Sequence, residues 1–184
     1  MTLPDLNLIY RVMNWHESQK DKNKMVNLSI PISTELSKKF PEDVDKTPKH
    51  IVLLFVGNFN PLFENKLKEI VQNVCSNYRP FNIKIGKRQR KFYDNDGNKI
   101  SYFPIFSRKL KEINNVLRQE LLRNKISVDS KQLEYIPHVK IETIKEGERP
   151  KFKKLRFDEN QVLRVENLWV WGTGNPIMIP FGKK

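Results

Sequence analysis

The sequence predicts an α+β protein of two pseudo-symmetric lobes, with antiparallel sheets facing a central groove and helices outside. Two observations carry that expectation. The apolar, β-branched run His50-Ile51-Val52-Leu53-Leu54-Phe55-Val56 and a second strand by pattern, His138-Val139-Lys140-Ile141-Glu142-Thr143, each carry a histidine at the start. The order of segments then reads strand, short helix, histidine strand, long helix, strands, long helix, histidine strand, strands, so that each half supplies one long helix and one histidine strand.

The elements follow in order. Leu8, Ile9, Val12, Met13 and Trp15 outline an amphipathic helix in a peripheral extension, residues 1–23. His16 lies there without an acidic or histidine neighbour at ligand spacing and reads as a surface residue. Residues 24–184 read as a single two-lobed domain. Val26, Leu28 and Ile30 alternate with polar residues as a strand. Ser33 can cap a short helix from Thr34 to Phe40. After the first histidine strand, Asn60 as N-cap and Pro61 at the first helical position start a helix. Its apolar face is Phe63, Leu67, Ile70, Val71 and Val74, and it runs through Ser76. Phe81 to Ile85 alternates as a strand. Lys91-Phe92-Tyr93 and Ile100-Ser101-Tyr102-Phe103 flank the turn Asp94-Asn95-Asp96-Gly97-Asn98 as a hairpin. Ser107 caps a second long helix with Leu110, Ile113, Leu117 and Leu121 on one face. Val162 to Trp171 and Ile177 to Phe181 read as two closing strands around Gly172-Thr173-Gly174-Asn175.

Composition narrows the function classes. With 184 residues, 38% hydrophobic and 30% charged, the chain has room for a real core and reads as soluble. No segment approaches the roughly 20 apolar residues of a spanning helix, and no signal peptide is visible. Cys75 stands alone, which excludes an intramolecular disulfide and a cysteine-rich zinc site; a reduced, cytoplasmic protein with Cys75 on a buried helix face is expected. The 34 Lys and Arg against 21 Asp and Glu leave a charge of +13. Basic runs fall at Lys84 to Lys91 and at Lys151 to Arg156. Such a surface favours nucleic acid, nucleotides or phosphorylated ligands, although lysines that serve solubility alone give the same runs.

Histidine is the side chain best suited to proton transfer near neutral pH. Alternate residues of a strand share a face, so His50 and Val52 look one way, and His138, Lys140 and Glu142 share another. If both strands line the groove, the two imidazoles converge there. Tyr135 would pack beside His138 or touch a ligand. Trp169 and Trp171 share a strand face, where they belong to the core or stack on a base.

These residues resemble the two-histidine phosphoesterase superfamily, which includes the RNA 2′,5′-ligase and cyclic phosphodiesterase proteins. The family carries two copies of His-x-Thr/Ser-hydrophobic, each opening a strand. Here they stand as His50-Ile51-Val52-Leu53-Leu54-Phe55-Val56-Gly57 and Pro137-His138-Val139-Lys140-Ile141. The likeness covers about residues 25–181. It implies a two-lobed fold and a phosphodiesterase in which His50 and His138 are catalytic, one as base and one as acid. It implies no metal and no cofactor. The ligand implied is a nucleotide or RNA phosphodiester, with a 2′,3′-cyclic, 2′,5′ or cyclic-oligonucleotide linkage, and no membrane. Similar enzymes in phages destroy cyclic nucleotide alarm signals. The family's Thr or Ser hydroxyls, which bind the phosphoryl oxygens, are replaced here by Val52 and Lys140. Valine cannot donate a hydrogen bond, whereas lysine donates and brings a charge. Lys140, Val52, Tyr135, Trp169 and Trp171 are therefore the substrate-side candidates. The alternative is a degenerate relative that binds RNA ends or nucleotides without turnover.

Overall fold

A computed structural model describes residues 26–41, 48–56, 61–94, 96–128, 135–152, 155–172 and 176–182. The elements are β1 (Val26–Pro31), α1 (Thr34–Ser37), β2 (His50–Val56), α2 (Glu64–Ser76), β3 (Phe81–Ile85), β4 (Arg90–Tyr93) and β5 (Lys99–Phe106). There follow α3 (Arg108–Arg123), β6 (His138–Ile144), β7 (Gln161–Val165), β8 (Asn167–Trp171) and β9 (Ile177–Pro180). The expected helix at residues 8–15, His16, and the turn residues Thr173 to Asn175 lie outside the described residues.

The fold is α+β with two antiparallel sheets. The first has the order β2-β1-β8-β9. In the second, β5 pairs with β4 and β6 along its first part and with β3 at its end, and β7 lies beyond β3. Among the described residues, the histidine strands β2 and β6 are each paired with a single neighbouring strand, and they pack against each other where the lobes meet.

Local chemistry places the helices. Ser33 Oγ accepts from Leu36 N at 3.3 Å, and Ser107 Oγ accepts from Leu110 N at 3.2 Å; both are the expected N-caps. Helix α1 ends at Ser37, short of Phe40. Pro61 opens a 3-10 turn to Phe63, and α2 begins only at Glu64 without a side-chain cap; Asn60 lies outside the described residues. Leu67, Ile70, Val71 and Val74 of α2 and Leu110, Ile113, Leu117 and Leu121 of α3 are buried in one core with the inner strand residues. Burial of each such side chain contributes about 1.5–3 kcal/mol. Cys75 is buried on the same face of α2, and desolvation pushes its thiol up to about 12.

Two expectations are corrected. The run Val162 to Trp171 is not one strand. It breaks at Glu166, with β7 paired to β3 in the second sheet and β8 paired to β1 in the first. The carbonyl of Glu166 accepts from Phe181 N at 2.8 Å, which fixes the crossing. Burial alternates along β7, with Leu163 and Val165 inside, and gives way after Glu166 and Asn167 to the continuous apolar run Leu168 to Trp171 of β8; only the pairing shows that the two belong to different sheets.

The second correction concerns Glu142. Pairing runs Tyr102 to Lys140 and then Ser101 to Glu142, so Ile141 is an extra residue in β6. Neighbouring Ser101 and Tyr102 point to opposite faces of β5, and their partners do likewise. Glu142 therefore leaves the face of His138 and Lys140. Its carboxylate accepts instead from the backbone N–H groups of Lys151 (2.9 Å) and Phe152 (3.4 Å).

Candidate active site

The surroundings of the two histidines repeat each other. His50 lies opposite Pro31 across β1 and β2, and His138 lies opposite Pro104 across β5 and β6. The carbonyl of the residue before each histidine accepts from the N–H of the residue after each proline: Ile32 N to Lys49 O at 3.2 Å, Ile105 N to Pro137 O at 3.0 Å. The histidine–proline pairs are thus non-hydrogen-bonded pairs, the geometry that brings facing side chains closest. Proline lacks an N–H and loses nothing there. Beyond each histidine the strand bulges at the same offset, at Leu53 in β2 and Ile141 in β6.

The ring nitrogens are set the same way. His50 Nδ1 is 2.8 Å from the carbonyl of Pro48, and His138 Nδ1 is 2.7 Å from that of Ile136. A carbonyl only accepts, so each Nδ1 carries the proton and Nε2 is the basic atom of the neutral ring.

The two flanks differ. The His50 ring lies 4.9 Å from Trp171, centroid to centroid, and Trp171 lies 6.0 Å from Trp169. Trp169 and Trp171 are 3% and 1% exposed, and the indole N–H of Trp169 finds no acceptor among the described residues. Val52 is half-buried opposite Ser29, whose hydroxyl is buried and donates to Asn27 Oδ1. His138 meets Phe92 and Tyr102 edge-on, both at 5.4 Å. Burial lowers its pKa below the ordinary 6.5 and the charge of Lys140 lowers it further, against the opposing hydrogen bond to Ile136. Lys140 is exposed opposite Tyr102, which in turn lies opposite Arg90. Tyr135 packs on the core just before β6; its hydroxyl is buried without a partner among the described residues, and desolvation raises its pKa. Among the described residues no group of three or more His, Cys, Asp or Glu stands where it could hold a metal.

The sequence did not single out Arg90, Tyr102, Phe92 or Ser29 for this site. Arg90 sits inside a basic run, and only the cross-strand register relates it to Lys140.

No family model matches the sequence, and no curated protein matches it. Solved structures do. TT0787 of Thermus thermophilus is 12% identical, with a TM-score of 0.65 over 87% of this chain and 100% of its own. A protein described as a phosphoesterase is 14% identical, with a TM-score of 0.54 over 85% and 95%. E. coli LigT in complex with 3′-AMP is 14% identical, with a TM-score of 0.55 over 86% and 95%. The chain shares the fold of these three structures. LigT has also been solved with NADP+, ATP and phosphate.

Proposed function

We propose that the chain is a two-histidine phosphodiesterase acting on a nucleotide or RNA phosphodiester of the 2′,3′-cyclic, 2′,5′ or cyclic-oligonucleotide kind. The observation that carries this reading is the repeated histidine setting, with Nδ1 of each ring tied to the carbonyl two residues earlier. That arrangement fixes the tautomer and the ring plane, which a proton-transfer group requires. The shared fold with a phosphoesterase and with nucleotide-bound LigT supports it.

His138, kept neutral by burial and by Lys140, is the base. Its Nε2 takes the proton from the attacking water or ribose hydroxyl as the new P–O bond forms. His50, as imidazolium, gives its Nε2 proton to the leaving oxygen as the old P–O bond breaks. Negative charge on the phosphoryl oxygens is met by Lys140, which stands where the family has a hydroxyl. A counter-defence role against cyclic nucleotide signals lies within this chemistry.

The test is a screen of purified protein with EDTA present, against cyclic phosphates, 2′,5′ oligoadenylates and cyclic di- and trinucleotides. Turnover is expected for one class, reduced about 10²–10⁴-fold in His50→Ala and in His138→Ala. Turnover that EDTA abolishes while both variants stay active overturns the reading. Binding without turnover favours the second reading, a nucleotide-binding module. One observation favours that alternative: Val52 has no hydroxyl, and nearby Ser29 is already committed to Asn27.

A further inference from the structure

We propose that the open face of the second sheet is a track for single-stranded nucleic acid leading away from the histidines. The proposal rests on the phosphodiester reading for what the track leads to, and it deepens that reading by naming an extended strand as the ligand.

The face follows from register. The pleat of β5 places Tyr102, Pro104 and Phe106 on one side. Pro104 lies opposite His138, so this side is continuous with the candidate active site. Across it, Arg90, Tyr102 and Lys140 form one row, Pro104 and His138 the next, and Phe106, Lys84 and Val162 the row beyond. Arg164 lies on the same face, opposite Asn82. Lys84, Arg90, Lys140 and Arg164 are all exposed, and none holds an ion pair with another described residue. Among the described residues no carboxylate occupies the strand positions of this face, because the bulge at Ile141 turns Glu142 to the other side.

Repulsion among these cations destabilises the free protein, and a bound polyanion relieves it. Phe106 and Val162 stand among them, 51% and 60% exposed. An exposed aromatic beside a cation on an open sheet is the arrangement on which unpaired bases stack while the backbone is neutralised. The first sheet offers no counterpart: around His50 it presents Asn27, Ser29, Val52, Trp169 and Trp171, all uncharged. A bound polyanion therefore leads away from the histidines over the second sheet.

The test compares a fluorescent 12-nucleotide oligoribonucleotide with a dinucleotide and with a duplex of the same length. The 12-mer is expected to bind more tightly than either. In the Lys84→Gln/Arg164→Gln variant the slope of log K against log salt should fall by about 1.4, at about 0.7 for each phosphate no longer neutralised. Phe106→Ala should weaken the 12-mer about fivefold or more and leave the dinucleotide unmoved. These side chains are exposed, so the variants keep the fold. No gain with length, an unchanged salt slope, a duplex bound equally well, or anionic phosphatidylserine vesicles bound as tightly would each overturn the track. A protein that binds the 12-mer this way but cleaves no phosphodiester supports the track and overturns the catalytic reading. One that cleaves a dinucleotide without any gain from length does the reverse.

Discussion

Asn114 of α3 donates its side-chain amide to the carbonyl of Leu53, at 2.6 Å. Leu53 is the extra residue of the β2 bulge, with no counterpart in β1. The buried asparagine thus satisfies the carbonyl that the bulge displaces, and it ties the histidine strand to the helix behind it. Asn114→Leu should lower stability by about 1–3 kcal/mol, the cost of an unsatisfied buried acceptor. Urea denaturation measures it. An unchanged midpoint would mean that another donor reaches Leu53.

His138 should titrate below the ordinary 6.5 in an NMR pH series, because burial and Lys140 both disfavour its imidazolium. Lys140→Gln removes the smaller of those causes and should move the titration upward. If His138 is the base, the acid limb of kcat/KM moves up with it. The same shift predicts the pH dependence of stability. Between the ordinary value and the lowered one the unfolded chain binds a proton that the folded chain does not. Stability is therefore lost as pH falls through that window and is fully present above it.

Val52 and Lys140 should differ in cost. Lys140→Ala should reduce kcat by about 10²-fold or more, on the scale of losing one oxyanion donor. Val52→Ala removes only packing and should cost less. Threonine at both positions should give comparable or better turnover. Steady-state kinetics on whichever substrate the screen identifies makes the comparison. Equal losses in the two alanine variants would mean that Lys140 does not meet the phosphoryl charge.

Gly86 is needed for a reason of space. A Cβ there would lie 2.8 Å from Pro104 Cγ and 3.0 Å from Phe106 Cε2. Phe106 is half-exposed and can yield, but Pro104 is a buried ring facing His138. Gly86→Ala should cost about 1–3 kcal/mol by overpacking and should shift the His138 ring resonances. A thermal melt and an NMR spectrum matching the parent would show that the ring of Pro104 has room to move.

Much of the fold and part of the site were legible in the sequence. Ser33 and Ser107 announced their helices through cap chemistry, and the apolar faces of α2 and α3 announced themselves through helical spacing. Gly97, at φ 79, marked the β4–β5 turn. The histidine strands stood out because each run has a strand pattern and opens on the same rare residue. The displaced face of Glu142 was not legible, since a bulge adds a residue without altering composition. Nor was the row of Arg90, Tyr102 and Lys140, which come from three separated stretches and meet only through register. The break at Glu166 shows in the sequence only as a change from alternation in β7 to a continuous apolar run in β8, and that the two serve different sheets appears only in their pairing.

That break has a consequence for how the molecule is made. The first sheet takes β1 and β2 from early in the chain and β8 and β9 from its far end, with Asn27 paired to Trp171. Emerging from a ribosome, the strand that bears His50 has to wait for nearly the whole sequence before its sheet can close and Trp171 can reach its ring. The second sheet draws only on residues between Phe81 and Val165, so it can assemble first and serve as a template. Closure over so long a separation in sequence is slow. A chain cut after Val165 would keep the His138 half and leave His50 on a two-strand remnant too small to hold itself together.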